Sequence, residues 1–100
     1  MAGKIIKDRN FRFTPHALKR LSARRISDEL FQLVITYGRK FYANGAEVYF
    51  VGKKEVEIAN RMGVDIRRAE GINIIVQDNG GEKIVVTAFK NHSLKQYKCH

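Results

Sequence analysis

The stretch RKFYANGAEVYFVG, residues 39–52, predicts a β-hairpin and thereby sets the middle of the fold. Asn44 and Gly45 are the preferred pair for a tight two-residue turn, because both positions need a positive φ. Once the turn is placed, the two strands pair in a single register. The predicted pairs are Phe41 with Val48, Tyr42 with Glu47 and Ala43 with Ala46.

Alternation along the two strands divides their side chains into two sets. One set is apolar and is predicted to face the core: Phe41, Ala43, Ala46, Val48 and Phe50. The other set is predicted to form a basic, aromatic surface: Lys40, Tyr42, Glu47 and Tyr49. With Arg39 beside them, Tyr42 and Tyr49 have the character of a platform on which bases stack, each contributing about 1–3 kcal/mol. Exposed tyrosines are also common on antiparallel sheets, and that plainer interpretation stays open.

Two helices are predicted ahead of the hairpin. Thr14 can cap the first helix and Pro15 suits its first position, so we expect a helix from about 15 to 25. Its core side is predicted to carry Ala17, Leu18 and Leu21. A second helix is predicted to begin at Ser27 and to stop at Gly38, since glycine tolerates the left-handed conformation that often ends a helix. Its apolar residues recur at helical spacing: Leu30, Phe31, Val34 and Ile35.

After the hairpin, residues 53–63 predict a short helix with Val56, Ala59 and Met62 on one face and Gly63 at its end. The β-branched runs INIIVQ and KIVVTAFK, separated by DNGGE, predict a second hairpin. The order ααββαββ predicts an α+β domain in which two N-terminal helices pack on a twisted antiparallel sheet of about four strands. We expect one domain over residues 1–100, with loosely ordered tails at 1–12 and 93–100.

Composition points to the kind of partner. The 100 residues include 19 lysines and arginines against 10 acidic residues, which gives a formal net charge of +9. Such a charge predicts a polyanion, RNA first and DNA second. One cysteine and three histidines without metal-ligand spacing predict no disulfide, no metal and no other cofactor. No stretch has the apolar length of a signal peptide or a membrane span, which predicts a cytoplasmic protein.

The first predicted helix also carries a candidate site. His16, Arg20 and Arg24 recur every four residues and therefore form one stripe. Histidine titrates near neutrality and suits proton transfer, while the planar fork of arginine suits phosphate, and cleavage of RNA without a metal needs both. Further candidates lie at the end of the last strand: Thr87, itself a typical strand residue, and then Lys90, Asn91 and His92.

A structural role explains the same residues equally well. From the first turn of its helix, His16 could hydrogen-bond a neighbouring strand. Arg20 and Arg24 could pair with acidic residues of the second helix, such as Asp28 or Glu29, and lock the two helices together. The residue pattern alone leaves both interpretations open.

The N-terminal motif consists of His16, Ala17, Arg20, Arg24, Ile26 and Ser27, followed by the helix end Tyr37-Gly38. This motif resembles the opening of the small bacterial proteins of the domain of unknown function 4258 family. The later stretches 46–50, 72–76 and 85–87 are similar to the strands of that family. The similarity spans roughly residues 13–92.

The resemblance implies a RelE-like ribonuclease toxin fold, with N-terminal helices packed against a twisted antiparallel sheet. It implies that His16 would handle protons in a metal-independent endoribonuclease, that Arg20 and Arg24 would hold phosphate, and that an antitoxin protein would be the partner. Basic residues at Arg39, Lys40 and Lys90 would then hold the RNA strand. The alternative is a non-catalytic module that binds nucleic acid or protein on the same scaffold.

Overall fold

A computed structural model of the protein describes residues 11–91. In chain order its elements are strand β1 (Phe11–Phe13), helices α1 (Pro15–Ala23) and α2 (Asp28–Tyr37), strands β2 (Arg39–Ala43) and β3 (Ala46–Phe50), helix α3 (Lys53–Arg61), a 3₁₀ turn (Arg67–Ala69), and strands β4 (Ile72–Asn79) and β5 (Glu82–Lys90). The predicted α+β class is confirmed. The predicted tails at 1–12 and 93–100 lie outside the described residues, apart from Phe11 and Arg12, which belong to β1.

The sheet has five strands in the order β1-β5-β4-β3-β2, so the prediction of about four strands in the order ααββαββ was incomplete. It is also mixed rather than purely antiparallel, because β1 runs parallel to β5. Phe11 and Phe13 of β1 pack their rings against Phe31 of α2, with centroids 5.7 and 5.2 Å apart. These aromatic contacts pack the half-buried phenylalanines of this edge strand against α2.

Both predicted hairpins are confirmed. The β2–β3 pairs are those expected from the turn, and the turn residues Asn44 and Gly45 have φ values of 53° and 78°. Strands β4 and β5 meet at Gly80 and Gly81, whose φ values are also positive. A register shift beside Ile75 interrupts the β4–β5 ladder. It changes which face of the sheet the side chains beyond it point to.

The two N-terminal helices begin where their caps predict. The Thr14 hydroxyl accepts a hydrogen bond from the N–H of Ala17 at 3.0 Å, and the Ser27 hydroxyl accepts one from the N–H of Leu30 at 3.2 Å. Helix α1 ends at Ala23, two residues before its predicted end at 25. The prediction of Leu18 as a core residue was wrong, because its side chain is exposed while the rest of that face is buried.

Gly38 ends α2, but not for the predicted reason. Its φ is −72°, an ordinary value, so the expected left-handed conformation is wrong. A Cβ atom at this position would collide with the carbonyl oxygen of Val34 and would lie 3.2 Å from that of Phe50. Glycine is needed here because two backbone segments approach closely, not because of an unusual dihedral angle.

Helices α1 and α2 cover one face of the sheet, which we call the helix face. Buried residues of both layers form one cluster that includes Ala17, Leu21, Phe31, Val34, Tyr49, Ile74, Val76 and Val85. Tyr49 pairs with Ile74 across β3 and β4, so the helix face is the one that carries Tyr49 and Glu47. The opposite face, the outer face, carries the alternate residues of the same strands.

This arrangement overturns the predicted orientation of the first hairpin. The side predicted as core lies on the outer face, where Val48 and Phe50 are buried but Phe41, Ala43 and Ala46 are only half-buried. The side predicted as surface lies on the helix face, where Glu47 and Tyr49 are buried. The prediction failed because both sides of the hairpin carry large aromatic groups, and alternation cannot say which side the helices choose.

Helix α3 ends at a left-handed glycine as predicted, since Gly63 has a φ of 83°. Of its predicted core face, Ala59 is buried and Val56 half-buried, whereas Met62 is exposed, so its assignment to the core was wrong. The Glu55 carboxylate accepts the N–H of Gly52 at 2.8 Å and so caps the start of this helix.

Candidate nucleic-acid interface

The sequence-predicted stripe lies on the exposed side of α1. Ala17 and Leu21 turn into the core, and the positions one residue earlier in the helical repeat therefore point outward. His16, Arg20 and Arg24 are all exposed. The structure thus brings these three residues together on one surface, as their spacing predicted.

The stripe is part of a larger basic surface, which we call the α1 basic face. Lys19 and Arg25 are exposed as well, so five basic side chains of the helix and its C-terminal end face solvent. None of the ion pairs formed within residues 11–91 involves any of these five side chains. Pairing of Arg20 or Arg24 with acidic residues of α2, the structural alternative, is therefore not realised within that range.

Thr87 does not join the stripe. It pairs with Ile75, whereas the neighbouring pair Ile74–Ala88 belongs to the buried cluster on the helix face. Because side chains alternate along a strand, Thr87 lies on the outer face, away from α1. Lys90 is exposed at the end of β5, opposite Ile72, and no ion pair of residues 11–91 includes it. His92 lies outside the described residues.

The predicted stacking platform is only half present. Tyr42 is 70% exposed on the edge strand β2, but Tyr49 is 7% exposed and belongs to the core. Its predicted role as a surface residue that stacks bases is therefore wrong. Lys40 lies 6.0 Å from the ring centroids of both tyrosines. Arg39 is exposed, and its Nε atom lies 3.7 Å from a carboxylate oxygen of Glu55.

A buried polar cluster that sequence reasoning missed lies on the helix face next to the first hairpin. The carboxylate of Glu47, a residue that is 1% exposed, accepts a hydrogen bond from the Lys83 ammonium at 2.6 Å. The Tyr49 and Tyr42 hydroxyls donate to the same carboxylate at 3.3 and 3.4 Å, and the Lys40 ammonium lies 3.9 Å from it. No local pattern signals this cluster, because Lys83 comes from β5 and Glu47 from β3.

Contacts in and beside the cluster shift the pKa values of Lys83, Tyr49 and Asp78. The hydrogen bond to Glu47 raises the pKa of Lys83, with Asp78 adding to the effect. Burial raises the pKa of Tyr49, and the nearby Glu47 carboxylate raises it further. A backbone hydrogen bond from Gly81, assisted by Lys83, lowers the pKa of Asp78. All three shifts move the pKa further from neutral pH, so these groups do not change charge near pH 7, which is typical of a structural network.

Several other features bear on function. Four surface hollows are formed by residues of α3, the hairpins and the 3₁₀ turn, and none of these four includes His16, Arg20 or Arg24. Within residues 11–91 no group of three or more histidine, cysteine or acidic side chains is placed to hold a metal ion. The helices in that range are also too short or too polar to cross a membrane.

Comparisons with protein-family models, with curated proteins and with solved structures found no match for this chain. The resemblance to the domain of unknown function 4258 family and to RelE-like toxins therefore stays a prediction from sequence. What can be argued about function depends on the surfaces described above.

Proposed function

We propose that this protein binds RNA and that the α1 basic face is the surface that contacts phosphate. The observation that carries the proposal is the concentration of exposed basic residues without ion-pair partners: His16, Lys19, Arg20, Arg24 and Arg25. Six other cations of residues 11–91 lie within 4.0 Å of a carboxylate: Arg12, Arg39, Lys40, Arg61, Arg67 and Lys83. Four more are exposed and form no ion pair in that range, but they are spread over other elements: Lys53, Lys54, Arg68 and Lys90. The α1 basic face is therefore the densest group of unpaired basic side chains among the described residues.

The chemistry of phosphate recognition supports this assignment. An arginine fork offers parallel N–H donors that match two oxygens of one phosphate. Binding at such sites releases counterions from the nucleic acid. Side chains that are not already paired with carboxylates are favoured, because no ion pair has to be broken. Arg20 and Arg24 meet both conditions. The choice of RNA over DNA, the RelE-like fold and the antitoxin partner come from the resemblance to RelE-like ribonucleases. The cytoplasmic location comes from the lack of a long apolar stretch in the sequence. All four belong to the proposal.

Cleavage is a separate part of the proposal. His16 is exposed one turn from Arg20, which is where a proton-transfer group would have to stand beside a bound phosphate. The second candidate function is a non-catalytic RNA-binding module. It is favoured by the position of Thr87 on the outer face, because Thr87 then cannot complete a catalytic site beside His16.

The binding proposal is tested by the salt dependence of RNA affinity. Fluorescence anisotropy of a labelled single-stranded RNA is measured between about 50 and 200 mM salt. The double variant Arg20→Ala, Arg24→Ala is expected to reduce the slope of log K against log salt by about 1.4, or about 0.7 for each lost phosphate contact.

A matched control removes two exposed, unpaired lysines from another element, Lys53→Ala with Lys54→Ala in α3. This pair carries the same charge but lies away from α1, so its slope should stay close to that of the wild type. Equal slopes for the two double variants would mean that binding depends on net charge alone, and the α1 basic face would be excluded as the specific surface.

Cleavage is tested with wild type and His16→Ala on the same RNA, in the presence of a metal chelator. Fragments produced by the wild type and lost in the variant, with unchanged circular dichroism and unchanged affinity, identify His16 as the proton-transfer residue. Binding without fragments from either protein identifies the non-catalytic module.

A further inference from the structure

We propose that the outer edge of β2 binds an extended, acidic segment of a partner protein as a sixth strand of the sheet. This inference concerns a different surface from the α1 basic face and does not depend on RNA binding. Three properties of β2 carry it: the direction of its backbone groups, the shape of the surface behind it and the charge beside it.

The backbone of β2 is prepared for pairing on its outer side. The two-residue turn makes Ala43 and Ala46 a hydrogen-bonded pair, and alternation makes Phe41 and Val48 the next one. The N–H and C=O groups of Lys40 and Tyr42 therefore point away from β3. No strand of residues 11–91 lies beyond β2, so these groups line an edge of the described sheet. No bulge or proline interrupts β2 and protects this edge.

The outer face offers a place for an apolar side chain next to this edge. Ala43, Ala46, Val48, Ile75, Gln77 and Phe89 line a hollow of about 380 Å³. A strand paired with β2 would lie about 4.8 Å from it. Ala43 is the β2 residue that lines the hollow, beside Asn44 of the turn. Because the Ala43 side chain is small, a branched or aromatic side chain on the added strand can reach over it. Side chains at alternate positions of the partner would therefore be apolar.

The helix face sets the charge of the remaining positions. Residues of an added strand that lie opposite Lys40 and Tyr42 share the helix face with them. The Lys40 ammonium lies 3.9 Å from its nearest carboxylate, while Arg39 adds a second cation at the end of the strand. A second copy of this chain would bring another +9 of charge to the same edge. Charge complementarity therefore selects an acidic partner with alternating acidic and apolar residues over self-association.

The probe is a capped seven-residue peptide of alternating glutamate and valine, added to the full chain. Binding is expected to slow the hydrogen exchange of the Lys40 and Tyr42 amides, whereas the Phe41 amide, already bonded to β3, changes little. Two further peptides are N-methylated, one on every glutamate and the other on every valine. One of them should lose binding and the other should keep it, because alternate N–H groups of a strand point to opposite edges.

The charge requirement is tested with the same backbone. A peptide with lysine in place of glutamate is expected to bind at least tenfold more weakly. Lys40→Gln should lower the affinity for the acidic peptide by about threefold. The matched control Arg68→Gln, which changes an exposed arginine on the 3₁₀ turn, should leave that affinity unchanged.

Several results would overturn the proposal. Equal binding of both N-methylated peptides would show that side chains, not the strand edge, make the contact. No binding of the acidic peptide at about 1 mM would exclude the edge as a docking site for such segments. Protection of the Lys40 and Tyr42 amides that appears in the free protein and disappears on dilution would assign the edge to a second copy instead.

Discussion

Replacing Lys83 with methionine tests whether burial, and not distance, sets the strength of the ion pairs in this protein. Lys83 is 23% exposed and lies 2.6 Å from the carboxylate of Glu47, whose side chain is 2% exposed. Without the ammonium, Glu47 keeps only Lys40 at 3.9 Å and two long hydroxyl contacts. Removing one partner of a buried pair lowers the free energy of unfolding by about 3–5 kcal/mol. Because Lys40 and the two hydroxyls still contact the Glu47 carboxylate, we expect a loss of about 3 kcal/mol.

The reverse change, Glu47→Gln, is expected to cost less, about 1–2 kcal/mol. The group left behind is then Lys83, which is partly exposed and keeps Asp78 at 3.3 Å. The double variant should cost less than the sum of the two single variants by about 1–2 kcal/mol, because the two side chains interact directly. Each value comes from urea unfolding, in which about 1 kcal/mol moves the midpoint by roughly 0.5 M.

The control is Arg12→Met. Arg12 and Glu82 are 2.8 Å apart, nearly as close as the buried pair, but their side chains are 65% and 43% exposed. Exposed pairs contribute about 0–1 kcal/mol, so this variant should be the mildest. The reasoning fails if Lys83→Met costs no more than Arg12→Met, or if Glu47→Gln proves as costly as Lys83→Met.

Two further predictions concern glycine and pH. Gly38→Ala is expected to cost about 1–3 kcal/mol of stability, because its Cβ would collide with the α2 carbonyl of Val34. Gly45→Ala has a φ of 78° and open space around it, so it should cost only about 1 kcal/mol. Thermal unfolding compares the two variants, and equal losses would contradict the steric argument. The pKa values of Lys83 and Tyr49 are raised above 10.5 and 10.0 in the folded protein. Both groups therefore stabilise the fold fully below those values, and this contribution is lost as pH rises through their higher folded values. Urea midpoints should fall above about pH 10, less steeply in Glu47→Gln, and a flat profile would refute the assignment.

Local sequence signals predicted the parts of the fold that local interactions determine. Thr14 and Ser27 cap their helices as expected, and Asn44 with Gly45 sets the register of the first hairpin pair by pair. Short-range steric and hydrogen-bonding rules decide these features, so they can be read without knowledge of the rest of the chain.

The errors came from interactions between distant segments. Strand β1 has only three residues, too few for a period of two to stand out, although Phe11 and Phe13, two positions apart, were its signal. The face that the first hairpin turns toward the helices depends on Lys83. Its ammonium, 36 residues away in sequence, donates a hydrogen bond to the buried Glu47 carboxylate. For the candidate site, His16, Arg20 and Arg24 are all exposed, and their role stays a prediction. The wrong prediction for Tyr49 followed from assigning the hairpin to the wrong face of the sheet.

The parallel contact between β1 and β5 has a consequence for how the protein is made. Phe11 pairs with Lys83, so the sheet joins one of its earliest segments to its last strand. Pairings between residues so far apart in sequence close slowly, because the loop between them must first be ordered. During synthesis, β1 cannot pair with β5 until that strand has left the ribosome. The presence of β5 should therefore determine how strongly the chain depends on chaperones and how readily truncated chains aggregate.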